Sequence, residues 1–435
     1  MEKEGKPTPR PTLVVSSVEE DGTIVDTLYR PEIAETALVL VRNGRMEIAR
    51  EWRSGETVYV PVRPSNNLLR HGALILPSEP AEYGDSEELL REIETYIRRY
   101  VALSDHAIAL STTYVLFSWV YDAFNELPYL RFRGDYGTGK TRALLVIGSL
   151  CYKAFFASGA STVSPIFHTL DSFKGTLIFD EADFRFTDEK AELVKILNNG
   201  NVKGFPVLRT QVTPQKEFDP RAFAIFGPKI VGMRRNYEDR ALESRFLTVE
   251  MEPGHAAGVP INLPEEQKDE ALRLRNKLLM YRLRNRLMVT LDPSLADTSL
   301  EPRMNQILLP LLSVVPDQER RGVIQEMAQA LQAGVVAERG ASAEGHVLAI
   351  LGTLLADRLD DILPLAEIAA AFIAAYVGEY ERPITNRWIG SVLRRLRIVL
   401  YKSNGVFVVL PGQAEKIKAL CARYGVVETV GTNSG

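Results

Sequence analysis

One stretch constrains this chain more than any other: Arg131-Phe132-Arg133-Gly134-Asp135-Tyr136-Gly137-Thr138-Gly139-Lys140-Thr141. The apolar Leu127-Pro128-Tyr129-Leu130 before it reads as a strand, and Ala143-Leu144-Leu145-Val146-Ile147 after it as the start of a helix. The spacing G-x-x-x-x-G-K-T is that of a loop whose backbone cradles phosphate. Gly134, Gly137 and Gly139 let the chain turn tightly and aim successive N–H groups at one anion. The helix starting near Lys140 adds the positive end of its dipole. Gly134, Asp135, Tyr136, Gly137, Thr138, Gly139, Lys140 and Thr141 are therefore the expected ATP-binding set. The Lys140 ammonium is assigned to the β- and γ-phosphates and the Thr141 hydroxyl to a Mg²⁺ ion. An ordinary glycine turn has no use for the Lys-Thr pair.

The second half of such a site follows about 40 residues later. Thr176-Leu177-Ile178-Phe179-Asp180-Glu181 is an apolar run that ends in two acids. A parallel strand buried on both faces reads this way, and ligand groups gather at its carboxyl end. Asp180 is expected in the Mg²⁺ shell, and Glu181 as the general base that polarises the attacking water. A strand ending in solvated acids is the plainer reading of this segment alone. Together with the loop it predicts an ATPase.

A chain of 435 residues needs more than one domain, and 46% hydrophobic residues suffice for sizeable cores. A formal net charge of −4 excludes a protein that binds nucleic acid through bulk charge, so any such contact must be a local basic patch. Cys151 and Cys421 offer no disulfide framework and fit a reducing, cytoplasmic setting. The five histidines show no metal-ligand spacing. Met-Glu-Lys-Glu carries no apolar signal core, and the apolar segment 106–124 is interrupted by Ser111, Thr112, Thr113, Ser118 and Asp122. That segment is expected to be a buried helix, with no membrane as partner.

Along the chain, residues 1–11 read as disordered. Short strand candidates at 12–16, 23–28, 37–42, 46–51 and 57–62, with an Asn43-Gly44 turn, make residues 1–85 a β-rich domain. Residues 86–125 form a helical brace, with Ser86 as the capping residue of its first helix. Residues 126–251 form the nucleotide-binding core. Within it, 205–211 and 217–226 read as two strands joined by a polar tip, and 229–233 as a further core strand. One of Arg234, Arg235 and Asn236 is placed to sense the γ-phosphate. Residues 252–340 are assigned to a helical lid. Its helix from Glu265 to Val289 carries Arg273, Arg275, Lys277, Arg282, Arg284 and Arg286. That set reads first as a solvated basic face, with a nucleic-acid or interface stripe as the alternative. In 341–425, three helices precede a hairpin around Ser403-Asn404-Gly405, the order of a winged helix. Arg394, Arg395 and Lys402 are its candidate DNA contacts, although winged helices also dock proteins. Residues 426–435 read as a disordered tail.

The loop, the Phe179-Asp180-Glu181 strand, the inserted hairpin and Leu242-Glu243-Ser244-Arg245-Phe246 together resemble an AAA+ ATPase. More narrowly, residues 126–335 resemble replicative helicases of superfamily 3 and the minichromosome-maintenance type from phages and mobile elements. The resemblance implies an α/β fold: an AAA+ P-loop NTPase core with helical lid, N-terminal β-rich domain and C-terminal winged helix. It implies ATP and Mg²⁺ as cofactors, a hexameric ring of identical subunits, and single-stranded or forked DNA as partner. Arg245 matches the position of an arginine finger acting on a neighbour's ATP, with Arg240 in reserve. Arg303, at a helix start in the lid, matches an arginine offered to the nucleotide. The hairpin at 205–226 would project into the ring channel, with Lys216 as its backbone-gripping cation. Asp180-Glu181-Ala182-Asp183 also spells the signature of another helicase superfamily, but the second RecA-like domain which that architecture needs is missing. Two other functions stay open: an initiator or loader that uses ATP as an assembly switch, and a DNA-binding regulator whose winged helix is primary.

Overall fold

A computed structural model of the chain describes residues 11–180, 188–212, 218–253, 258–356, 362–376, 378–380 and 383–426. The chain divides into two compact units, Met1–Ala328 and Gln329–Gly435.

The first unit opens with β1 (Thr12–Leu13), β2 (Ser16–Val18), β3 (Ile24–Arg30), β4 (Glu35–Arg42), β5 (Arg45–Ala49), β6 (Trp52–Ser54) and β7 (Thr57–Val60). They form two sheets, ordered β2-β3-β4-β5 and β1-β7-β6. Asn43 and Gly44 both take positive φ, 49° and 72°, and turn β4 into β5 as a tight hairpin requires. Val25, Leu38 and Leu40 fill the small core between the strands.

After α1 (Asn67–Arg70) come α2 (Ser86–Tyr100) and α3 (Asp105–Ser118). The cap of α2 is Asp85, whose carboxylate accepts from the Glu88 N–H at 2.8 Å, and not the expected Ser86. Helix α3 is buried on every side from Ala107 to Ser118 and packs against its neighbours α2 and α4 (Lys140–Gly148). Of its buried hydroxyls, Thr113 and Ser118 donate back to carbonyls of their own helix, whereas Ser111 and Thr112 make no hydrogen bond among the described residues. Among the described residues no helix is long and apolar enough to cross a membrane.

The central sheet is built from β8 (Tyr129–Arg133), β9 (Phe155–Ser158), β10 (Leu177–Asp180), β13 (Lys229–Met233) and β14 (Phe246–Glu250), all parallel, in the order β14-β8-β13-β10-β9. Helices α4, α5 (Val163–Phe173), α6 (Asp188–Asn199) and α7 (Arg240–Glu243) connect them. Strands β8, β10, β13 and β14 are buried on both faces along most of their length, as a sheet covered by crossover helices demands. Between α6 and β13 stands an antiparallel hairpin, β11 (Val207–Val212) with β12 (Phe218–Phe223). Its arms are shorter than the predicted 205–211 and 217–226.

Helices α8 (Glu266–Asn285), α9 (Pro302–Val314) and α10 (Gln318–Gly340) follow. The boundary between the units falls inside the span of α10, earlier than the expected 340/341. The basic set of α8 is split: Arg273 and Arg284 are exposed, as a solvated face requires, while Arg275, Lys277, Arg282 and Arg286 are partly or fully buried. Arg275 donates to the Ser149 carbonyl, Lys277 pairs with Glu92 and Arg284 with Glu82. Arg282 is inserted between Asp26 at 2.8 Å and Asp122 at 2.9 Å, and Arg286 also meets Asp122. Asp26 in turn holds Lys153 at 3.0 Å and accepts from the Tyr152 hydroxyl at 2.6 Å. Asp26, Lys153 and Arg282 are each 1% exposed. This ionic knot fastens β3 to the segment after α4 and to α8. Burial pushes Lys153 down to about 8 against the pull of Asp26. It also opposes the Asp122 carboxylate, but Arg282 and Arg286 prevail and hold that group at about 2.

The second unit contains α11 (Ala343–Ala356), β15 (Leu363–Pro364), α12 (Leu365–Ala375), α13 (Asn386–Arg395), β16 (Tyr401–Ser403), β17 (Val406–Val409) and α14 (Ala414–Arg423). Thr385 caps α13 by accepting from the Trp388 N–H at 3.2 Å. Asn404 and Gly405 turn β16 into β17 with φ of 48° and 83°. Leu351, Ile368, Phe372, Ile389 and Leu393 lie at the centre of the core.

Candidate functional site

Because all five central strands run parallel, their carboxyl ends share one edge of the sheet, where an open α/β sheet takes its ligands. The glycine-rich loop leaves β8 at that edge and enters α4. Gly139 caps α4 at φ 88°, a backbone conformation that side chains disfavour. Gly134 is fixed by space: a Cβ there would lie 2.5 Å from the Met251 carbonyl oxygen and 2.8 Å from Thr138 Oγ1. The loop is held by its own groups. Thr138 Oγ1 donates to the Asp135 carbonyl at 2.9 Å, and Lys140 Nζ donates to the carbonyls of Gly134 at 2.7 Å and Asp135 at 2.5 Å. The Lys140 ammonium thus lies folded into the loop at the mouth of α4, where a bound phosphate would compete for it.

Asp180 ends β10 two strands from β8, with β13 between them. The Thr141 hydroxyl donates to Asp180 Oδ2 at 2.6 Å, so the two residues assigned to Mg²⁺ meet across 39 positions of sequence. This hard-oxygen pair beside a phosphate cradle fits a Mg²⁺ ion, which takes one or two protein ligands and leaves the rest of its shell to phosphate and water. Glu181, the expected base, lies outside the described residues, as do Asp183 and the hairpin-tip Lys216.

The structure adds a contact that the sequence did not reveal. Tyr136, 78% exposed at the crest of the loop, stacks under the Arg234 guanidinium at 4.1 Å. Of the three sensor candidates at the end of β13, Arg234 is therefore the one seen against the loop. The only sequence signal was an aromatic residue in a loop otherwise made of small and polar ones.

Two assigned arginines sit at the other edge. Arg245 precedes β14, and its carbonyl accepts from the Tyr129 N–H, the first residue of β8. Its guanidinium donates to Asn201 Oδ1 at 2.8 Å and Asn198 Oδ1 at 3.0 Å. Burial lowers its pKa, and the neighbouring Arg303 adds to the effect. Arg303 pairs with Glu126 at 3.7 Å, just ahead of β8. The length of β8, roughly 13 Å at about 3.3 Å per residue, separates this corner from the loop. The expectation that Arg303 touches a nucleotide is thereby corrected for the nucleotide of its own loop. Helix α9 begins at the amino edge of the sheet, not over its carboxyl edge. Glu243, between the two arginine candidates Arg240 and Arg245, makes a bidentate pair with the buried Arg131 and accepts from the Tyr237 N–H at 3.0 Å. It fixes α7 to β8.

The arms of the hairpin carry cations that are already paired. Arg209 meets Glu192 in two bonds of 2.8 and 2.7 Å, and Arg221 lies 4.0 Å from Asp171. In the second unit, Arg395 pairs with Glu344 at 2.7 Å, while Arg394 faces a groove beside the hairpin. Lys402 lies on the exposed β16.

No family model and no curated protein matches this sequence. Among solved structures the chain is similar to the C-terminal region of NrS-1 in an apo form, at 13% identity over 89% of this chain and 96% of that one, with a TM-score of 0.38. It is similar to JCV helicase at 13% identity over 57% of this chain and 61% of that one, with a TM-score of 0.24. It is also similar to the Aeropyrum pernix ORC1 protein in complex with DNA, at 12% identity over 77% and 97%, with a TM-score of 0.22. At these scores no likeness carries an argument about the site, whose chemistry rests on the chain's own residues.

Proposed function

We propose that this chain is an AAA+ ATPase that works as a hexameric ring helicase or translocase on DNA, serving the replication of a phage or mobile element. The observation that carries the reading is the 2.6 Å contact of Thr141 with Asp180 at the mouth of the glycine-rich loop. Loop N–H groups and the Lys140 ammonium bind the β- and γ-phosphates of ATP and orient them. Thr141 and Asp180 would hold the Mg²⁺ ion, which when bound supplies counter-charge to the phosphate oxygens. Glu181 takes the proton of the attacking water. Arg234, released from Tyr136, is the candidate γ-phosphate sensor.

The corner holding Arg245 and Arg303 faces away from the chain's own loop. A nucleotide served by this pair would belong to a neighbouring subunit, and that placement supports the ring reading. There Arg245 would neutralise the charge developing on the γ-phosphate. The lid, the N-terminal β-rich domain and the C-terminal winged helix complete the proposed architecture. Lys216, Arg394, Arg395 and Lys402 are the proposed DNA contacts, and the setting is cytoplasmic.

The test is steady-state ATPase and fork unwinding by the purified chain. Lys140→Ala should abolish turnover and weaken nucleotide binding, whereas Glu181→Gln should bind ATP and lose turnover. Normal turnover in Glu181→Gln removes the base from the mechanism, and wild-type protein with ATPase but no unwinding removes the helicase.

A further inference from the structure

The second unit contains a groove that the ATP chemistry does not use. It lies between α13 and the β16–β17 hairpin and encloses about 660 Å³. Helical spacing produces it. Arg387, Gly390 and Arg394 recur at i, i+3 and i+7 and so share one face of α13, while Ile389, Val392 and Leu393 turn into the core. Gly390 leaves the floor without a side chain, and a Cβ there would make ordinary contacts with Leu400 at 3.4 Å and Leu365 at 3.5 Å. Arg397, at φ 59°, and Phe407 of β17, 51% exposed, also line the groove. No acid lines it. Unlike Arg395, the guanidiniums of Arg387, Arg394 and Arg397 make no salt bridge among the described residues.

Three unpaired guanidiniums call for a ligand with several negative charges. The apolar floor and the exposed ring call for flat apolar groups on that same ligand. Duplex DNA presents the charges but keeps its bases stacked inside. An acidic peptide presents carboxylates but no regular series of planar faces. Single-stranded nucleic acid has both, a phosphate chain with a base on every unit, and stacking platforms ringed by arginine are how proteins hold it. We infer that this groove binds single-stranded nucleic acid, one base stacking on Phe407 over the floor at Gly390 and Leu400, with Arg387, Arg394 and Arg397 on the flanking phosphates. The inference rests on the DNA reading above and deepens it, from a cationic surface to a strand-selective site.

The experiment measures fluorescence anisotropy of the full chain with three probes: fluorescein-labelled oligo(dT) of 15 nucleotides, an abasic oligomer of the same length, and a 15-base-pair duplex. Phe407→Ala, an exposed position, should weaken oligo(dT) binding about 5- to 140-fold, the loss of one stacked base. It should leave the abasic oligomer unaffected. Arg387→Glu with Arg394→Glu should weaken both oligomers and flatten the salt dependence. Melting curves confirm that the variants fold, and photocrosslinking of iodouracil-substituted oligomer should mark peptides within 386–407. Wild-type affinity for oligo(dT) in both variants, with crosslinks elsewhere, overturns the groove and leaves the DNA reading standing. Equal loss of duplex and oligo(dT) binding in Phe407→Ala overturns strand selectivity. A labelled peptide of alternating Asp and Leu that binds here where oligo(dT) does not would assign the groove to a protein partner. If the wild type binds neither oligo(dT) nor a fork, the DNA reading falls as well.

Discussion

Replacing Asp26 by Asn should loosen the N-terminal sheets from the parallel-sheet core. Asp26 meets Lys153 at 3.0 Å and Arg282 at 2.8 Å. At an effective dielectric of about 20, each contact is worth about 5–6 kcal/mol of Coulomb energy, set against the cost of desolvating the charges. Asn keeps the shape and removes the charge. Arg282 retains Asp122, so the stranded group is Lys153, already held down to about 8 by burial. Deprotonation of Lys153 then limits the loss. Removal of one partner from a buried pair costs about 3–5 kcal/mol, and the variant should fall in that range near neutral pH. Native-state hydrogen exchange at the amides of β3 and β4 reads the opening free energy of this region directly. Adding Lys153→Met removes the stranded cation, and the pair should show a coupling of about 1–3 kcal/mol. A loss below about 1 kcal/mol in Asp26→Asn, or strict additivity in the double variant, would refute the idea that this knot fastens the sheets.

Arg245→Ala and Lys140→Ala proteins should each be nearly inactive, with losses of about 10³-fold or more for the finger, and should regain ATPase when mixed. No regain in subunit-exchanging mixtures counts against a finger acting in trans. Lys216→Ala should keep its DNA-free ATPase while losing unwinding and part of its salt-dependent DNA affinity, and a variant that unwinds forks at the wild-type rate would remove the hairpin from the channel. Lys229 is fully buried, donating to the carbonyls of Gly200, Ile225 and Gly227, and burial depresses its pKa to about 7 from 10.5. The unfolded chain therefore binds the extra proton between those values, so stability should rise as pH climbs from about 7 towards 10. Lys229→Met should flatten that rise in thermal melts relative to the wild type; an identical slope would mean that Lys229 is charged in the folded protein.

What the sequence determined by itself is the chemistry set by neighbours a few residues apart. The glycine spacing and the Lys-Thr pair specify a loop at a strand-to-helix junction, because φ preference and helix polarity act within one turn. The Asn43-Gly44 and Asn404-Gly405 turns were legible for the same reason. The place of Asp180 at the end of β10 was legible because an apolar run ending in acids reads as a buried parallel strand. Tertiary structure alone decided what depends on segments far apart in the chain. Periodicity marks which face of α8 is basic, but not that Asp26 and Asp122 stand opposite Arg282, so its buried ion pairs read, together with the exposed Arg273 and Arg284, as one solvated face. Arg303 illustrates the same limit. Its helix start was visible, yet which edge of the sheet it meets depends on how α9 packs, and that placed it beside Arg245 instead of its own loop. Partnering is equally invisible in one dimension. Arg394 and Arg395 are adjacent and identical in sequence, and only the fold brings Glu344 to one and an open groove to the other.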